Sequence, residues 1–135
     1  MAEAKTTTKK VAKKPAKVAP KRDVYQIDAT NKAVGRIATE ISALLQGKNR
    51  ADFERHIDAV SSVVVSNASK MTFSGKKLTQ KEYFHYSGYP GGLKRTQVGK
   101  VFTERPSEVL RQAVWNMLPK NKLRAKMIKR LTINK

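Results

Sequence analysis

The chain has 135 residues, which is enough for one folded domain and little more. Its formal charge is +19, and a compact chain that repels itself this strongly is best explained by a polyanionic partner. Cysteine is absent, which excludes disulfides and thiolate chemistry and argues against zinc. No apolar run approaches the roughly 20 residues of a spanning helix, so we expect no membrane partner and an intracellular protein.

The first 22 residues differ in composition from the rest of the chain. Eight Lys or Arg stand against one acid, Glu3, and no aromatic residue is present. Such a segment buries too little apolar surface to offset its ordering entropy, so we predict a disordered arm over 1–22 and a single domain over 23–135. The charge pattern favours an arm that follows RNA phosphates over a solubilising tail or a transit peptide. Its predicted RNA-binding residues are Lys9, Lys10, Lys13, Lys14, Lys17, Lys21 and Arg22.

The next part of the chain has a strand–helix–strand pattern. Residues 24–27 predict a short strand, and apolar residues at helical spacing over 34–45 predict a helix that Gly47 ends. Gly35, in the first turn, indicates close packing or a nearby ligand. The run over 63–65 predicts a strand buried on both faces. This pattern favours an α/β fold with a parallel sheet covered by helices.

Residues 83–95, YFHYSGYPGGLKR, are the most distinctive segment. Four of the nine aromatic residues fall within seven positions, and two glycines and the pair Lys94-Arg95 follow. Rings stack on unpaired bases, a glycine backbone lets phosphates approach, and the cations neutralise charge, so the segment indicates RNA binding. We expect some rings, Phe84 foremost, to face the protein's own core instead.

The C-terminal part predicts a second helix and then a cationic segment. The second helix begins at Pro106 and ends at Pro119, with Trp115 packing at the core edge rather than stacking on a base. Residues 120–135 contain seven basic residues and no acid, which favours a phosphate-docking face over an ordinary solvated one. On a helical wheel one arc of this segment holds Lys122, Lys126, Lys129 and Arg130.

No pattern typical of catalysis stands out. His56 and Asp58 lie two positions apart, a spacing that suits a base and its orienting carboxylate, but a structural role is favoured. Usual metal-ligand spacings and glycine-rich nucleotide motifs are both missing, so we predict no enzyme activity, no cofactor and no small-molecule substrate. The turn over residues 74–77 is either a phosphate contact or an ordinary hairpin tip.

Blocks spread over about residues 24–133 resemble the bacterial-type large-subunit ribosomal protein L13 family. They are Asp28-Ala29-Thr30, residues 34–38, Gly47-Lys48, His56-Ile57-Asp58, residues 63–65 with Asn67-Ala68 and Lys70, residues 74–77, residues 83–94 and Met117-Leu118-Pro119. The chain departs from the family pattern at Val60-Ser61 and Trp115-Asn116. It also stops at Lys135, before the usual polar tail, so we expect contacts of that tail to be missing or replaced.

The resemblance implies a three-layer α/β/α fold around a mostly parallel four-stranded sheet. It implies a structural protein that binds large-subunit ribosomal RNA, contacts neighbouring large-subunit proteins and acts early in subunit assembly, in a cytoplasmic or organellar ribosome. The alternative from composition alone is a histone-like general nucleic-acid-binding protein. The predicted RNA-binding residues beyond the arm are Arg36, Lys48, Arg50, His56, Lys76, Lys77, His85, Tyr86, Gly91, Gly92, Lys94, Arg95, Lys120, Lys122, Arg124, Lys126, Lys129 and Arg130.

Overall fold

A three-stranded parallel sheet lies at the centre of the computed structural model, which describes residues 23–135. The predicted arm over residues 1–22 lies outside the described residues. The elements in chain order are β1 (Val24–Asp28), α1 (Val34–Gln46), β2 (Ser62–Ser66), a 3-10 turn (Ala68–Lys70), α2 (Lys77–Gln80), β3 (Glu82–Tyr86), β4 (Leu93–Gln97), α3 (Val98–Glu104), α4 (Pro106–Met117), α5 (Arg124–Lys129) and β5 (Leu131–Ile133).

The strand–helix–strand prediction is confirmed by β1, α1 and β2. Strand β2 is central and pairs in parallel with β1 on one side and β5 on the other. Its register places Val63 between Tyr25 and Leu131, so these three side chains point to the same face of the sheet. Val63 and Val65 are fully buried on that face, which is therefore the core face.

Helix α1 covers the core face with the predicted apolar stripe. Ile37, Ile41 and Leu45 are fully buried, as their spacing of four residues on one helical face requires. Gly47 ends the helix as predicted, in the left-handed conformation at φ 77°, and its amide donates to the Leu44 carbonyl at 3.0 Å.

Helix α4 packs beside α1 and completes the core. It begins at Pro106, as predicted, and buries Val109, Leu110 and Val114. Helix α3, which the sequence analysis did not predict, ends directly before α4, and its Phe102 ring meets Phe73 edge-on at 5.1 Å between ring centroids.

The second face of the sheet differs from the prediction. Val64, expected to be buried, is only half-buried because the register places it between the polar residues Gln26 and Thr132. On the same face Val24 is 63% exposed. Within residues 23–135 the sheet thus has three strands rather than four, and α1 and α4 pack on its core face, whereas α2 and α3 lie beside β4. The remaining strands, β3 and β4, form a separate antiparallel hairpin.

A half-buried ion pair connects the loop before β2 to the residue before β5. The Arg130 guanidinium donates to both carboxylate oxygens of Asp58, at 2.7 and 2.5 Å, and also to the Ser61 carbonyl at 2.8 Å. The two side chains are only 17% and 20% exposed. Burial acts to raise the pKa of Asp58, but the hydrogen bonds and charge of Arg130 outweigh it and hold this pKa below its ordinary value.

We expect Asp58→Asn to lower the free energy of unfolding at pH 7 by about 1–3 kcal/mol, because it leaves the half-buried Arg130 charge without its carboxylate. Because the folded-state pKa is depressed, the stabilisation is present above the unfolded pKa of about 3.9 and is lost as pH falls through the folded value. Urea unfolding of the wild type and the variant across this range checks both statements.

The matched control is Glu108→Gln, which breaks the exposed pair between Arg105 and Glu108, 3.7 Å apart. An exposed pair of this kind contributes at most about 1 kcal/mol. Equal losses for the two variants, or an Asp58→Asn loss that does not shrink in acid, would contradict this account of the ion pair.

Candidate nucleic-acid interface

The distinctive segment 83–95 folds as the β3–β4 hairpin, which projects from the core. Phe84 pairs with Arg95, and Tyr86 pairs with Leu93, across the two strands. Every β4 residue is exposed, and in β3 only Glu82 and Tyr83 are half-buried. A two-stranded hairpin with this little burial is marginally stable by itself. Because its aromatic rings are exposed, a partner can contact them.

The strand alternation separates Lys94 from Arg95, although they are neighbours in sequence. Successive side chains of a strand point to opposite faces, so Lys94 shares a face with His85 while Arg95 shares the other with Phe84. The Arg95 guanidinium lies 5.7 Å from the centroid of the Phe84 ring. The hairpin therefore has a basic face and an aromatic face that also carries Arg95.

The position of Phe84 contradicts the expectation that it faces the core. Its side chain is 62% exposed, and Tyr86 on the same face is 61% exposed. The ring that turns toward the protein is Tyr83 instead, where burial raises the pKa of the hydroxyl and the Lys81 ammonium lies 5.8 Å from the ring centroid. Tyr83 and Phe84 are consecutive residues of β3, so their side chains point to opposite faces of the hairpin. The sequence does not show which of these faces turns toward the rest of the protein.

The loop over residues 87–92 depends on its glycines. Gly91 adopts the left-handed conformation at φ 73°, and the Gly92 amide donates to the Tyr89 carbonyl at 2.9 Å. A Cβ on Gly92 would lie 2.0 Å from the Ser87 Oγ and 3.0 Å from the Tyr89 carbonyl oxygen, so a side chain there requires Ser87 to change rotamer and the loop to shift slightly. Tyr89, at the tip, is 75% exposed.

Most of the predicted cations are exposed, in agreement with a binding role that remains a prediction. Those with exposed side chains are Arg36, Lys48, Lys76, Lys77, Lys94, Arg95, Lys120, Lys122, Lys126 and Lys129. The Ser74–Lys77 turn leads directly into α2, so its interpretation as a hairpin tip is wrong.

Three predicted RNA-binding arginines are engaged within the protein. Arg130 holds Asp58, as described above, and so leaves the arc predicted to contain Lys122, Lys126 and Lys129. Arg50 pairs with Asp52 at 3.0 Å and with Asp23 at 3.3 Å.

Arg124, the third, stacks on the half-buried Trp115 ring at 4.1 Å from its centroid and donates to the Trp115 carbonyl. These contacts hold the guanidinium against the C-terminal end of α4, whereas packing of Trp115 at the core edge stays a prediction.

His56 and Asp58 do not pair with each other. The His56 Nε2 lies 3.4 Å from a carboxylate oxygen of Glu54, whereas Asp58 is occupied by Arg130. Within residues 23–135 no three His, Asp or Glu side chains are placed to hold a metal ion. In the same range, none of the helices combines the length and apolar character that crossing a bilayer requires.

The sequence analysis omitted several residues that lie beside the predicted contacts. Lys81 follows α2 and reaches toward the hairpin, while Thr39 and Asn116 line a groove with Arg36 and Lys77. A possible signal was the spacing of Lys77 and Lys81, which one turn of helix brings to the same face. The approach of α1 to α4 could not be read from sequence.

The amino-acid sequence matches a known protein family. The model of the family Ribosomal protein L13 matches residues 22–135. The large ribosomal subunit protein uL13 of Citrifermentans bemidjiense is 47% identical over 112 residues, covering 83% of this chain and 79% of that protein.

Two further relatives carry the same name. The uL13 protein of Geobacter sulfurreducens is 44% identical over 93% of this chain and 86% of its own length. That of Clostridioides difficile is 48% identical over 89% of this chain and 82% of its own length. With the family matched over all the described residues and relatives this similar, the chain belongs to the ribosomal protein L13 family.

Proposed function

We propose that this protein is a structural, non-enzymatic constituent of the large ribosomal subunit, where it binds large-subunit ribosomal RNA and supports early assembly. The observation that carries the proposal is the family membership of residues 22–135. RNA and neighbouring large-subunit proteins are its partners, and it needs no cofactor.

The mechanism begins with charge neutralisation. Ten of the predicted cations are exposed on several elements of the fold, and residues 83–103 and 109–135 contain no acid. Packed RNA phosphates repel one another, and exposed Lys and Arg side chains offset that repulsion by replacing condensed counterions. Cations on separate elements suit an RNA that wraps the protein better than one that fills a single groove.

The β3–β4 hairpin contributes contacts that depend on the shape of the RNA as well as on its charge. On its basic face Lys94 and His85 meet phosphate, while on its aromatic face Phe84 and Tyr86 offer flat rings to exposed bases. The glycines of the loop over residues 87–92 carry no side chain, so RNA backbone can approach them closely. Residues 1–22, with their eight basic residues, extend the contact along further phosphates.

A histone-like protein that binds nucleic acid generally is the second candidate, favoured by the Lys-, Ala- and Pro-rich composition of residues 1–22. The affinity of such a protein does not depend on the folded structure of the RNA. Competition between duplex DNA and a large-subunit ribosomal RNA fragment separates the two candidates, because only the ribosomal function requires preference for the RNA.

We expect the affinity for large-subunit ribosomal RNA to fall steeply with salt. Each neutralised phosphate contributes roughly −0.7 to −0.9 to the slope of log affinity against log salt, so a slope steeper than about −3 is expected from several contacts. A filter-binding titration measures the slope. Removing residues 1–22 should reduce its magnitude while leaving the melting temperature unchanged. A flat salt dependence, or preference for duplex DNA, would refute the proposal.

We expect Lys94→Gln and Arg95→Gln to weaken RNA binding independently, because the two side chains lie on opposite faces of the hairpin. The coupling energy from a double-mutant cycle should stay below about 0.5 kcal/mol, with little change in melting temperature. Lys94→Gln should reduce the magnitude of the salt slope by about one unit.

Lys100→Gln, on an exposed residue of α3 outside the predicted contacts, is the control for charge alone. Coupling above about 1 kcal/mol between positions 94 and 95 would show that both side chains meet one partner group, contrary to the two-faced hairpin.

A further inference from the structure

A groove of about 680 Å³ opens between the N-terminal half of α1, the segment leading into α2 and the C-terminal end of α4. This volume falls within the range of about 300–1,000 Å³ typical of sites for small organic ligands. No residue lining it is acidic. Gly35 also lines the groove, and no atom lies within 4 Å of where its Cβ would be, so internal close packing does not explain this glycine.

The inner surface of the groove is apolar and adaptable. Phe73 and Met117 contribute a half-buried ring and a thioether, and the Met117 side chain is 42% exposed. The Thr39 hydroxyl donates to the Gly35 carbonyl at 3.0 Å and lies 3.5 Å from the Met117 sulfur, so α1 and α4 are in contact at this point. Asn116 adds an exposed amide, which can both donate and accept hydrogen bonds.

Three cations surround this apolar surface. Arg36, Lys77 and Lys81 line the groove with exposed side chains, and none of them forms an ion pair with any residue of 23–135. Lys81 also lies over the Tyr83 ring at the base of the β3–β4 hairpin. The groove is therefore continuous with the candidate nucleic-acid interface.

We propose that this groove binds one unpaired nucleotide of the large-subunit RNA. The base packs against Phe73 and Met117, its hydrogen-bonding edge meets the Asn116 amide, and the flanking phosphates lie against the three cations. A nucleotide extruded from a helix offers this combination of an apolar face, a polar edge and negative charge. The proposal rests on the RNA binding proposed above and deepens it by assigning a pocket to a single nucleotide.

An acidic peptide segment would satisfy the same cations. The nucleotide is favoured because a flat base fits the apolar surface and an amide reads its edge, and because the adjoining hairpin offers exposed rings to the same RNA.

Asn116→Trp tests the proposal by filling the groove from α4. Gln112→Trp is the matched control, since Gln112 is also an exposed polar residue, lies one turn earlier on α4 and does not line the groove. With in vitro transcribed large-subunit RNA of a bacterial relative, we expect Asn116→Trp to lose affinity about tenfold, because the contact with one stacked base is lost, and the control to lose less than about twofold.

Chemical probing of RNA 2′-hydroxyls provides the second readout. Wild type and Gln112→Trp should protect one unpaired nucleotide that stays reactive with Asn116→Trp. A variant that leaves the groove open, Lys77→Gln with Lys81→Gln, should reduce the magnitude of the salt slope by about 1.5, even if Asn116→Trp folds poorly.

Equal RNA affinity and equal protection for the two tryptophan variants would overturn the nucleotide pocket while leaving ribosomal RNA binding intact. So would an RNA affinity unchanged by Asn116→Trp together with poor incorporation of that variant into large subunits, because this would indicate a protein occupant. Absence of RNA binding by the wild type would overturn both proposals.

Discussion

Burial of one face of the parallel sheet against α1 and α4 is the constraint on which the rest of the molecule depends. Val63 and Val65 of the central strand, Ile37 and Ile41 of α1 and Leu110 of α4 are inaccessible to solvent and form one apolar cluster. Removing this surface from water supplies the main driving force for folding. The charged residues are left to the periphery, where most of them are free to meet a polyanion.

Three aspartates hold two arginines in ion pairs within the protein. Asp58 holds Arg130 beside the end of β5, and Asp23 and Asp52 hold Arg50 near the start of β1. These pairs fix loops to the sheet and remove their arginines from the binding surface. The lysines, by contrast, remain exposed, so the protein separates structural arginines from lysines available to phosphate. Arg36, Arg55, Arg95 and Arg111 are exposed like the lysines and form no ion pair with any residue of 23–135.

The sequence predicted the parts of the fold governed by local pattern. The apolar spacing over residues 34–45 and the prolines around α4 defined the two long helices, because helical periodicity and the geometry of proline act within a few residues. The sequence did not predict the features that depend on contacts between residues far apart in the chain. Neither the partial exposure of Val64 nor the outward direction of Phe84 follows from composition, since each is decided by strand register. For the same reason the sequence did not show that Arg50, Arg124 and Arg130 bind partners within the protein. It also did not show the groove between α1 and α4.

The central claim is that an exposed cationic surface, built on a small α/β core, incorporates this protein into the large ribosomal subunit. Sedimentation of a lysate from cells that express the chain tests it most directly. The account predicts that the protein migrates with large subunits at low salt and is released as salt rises. Migration with chromosomal DNA, or as free protein at low salt, would contradict it.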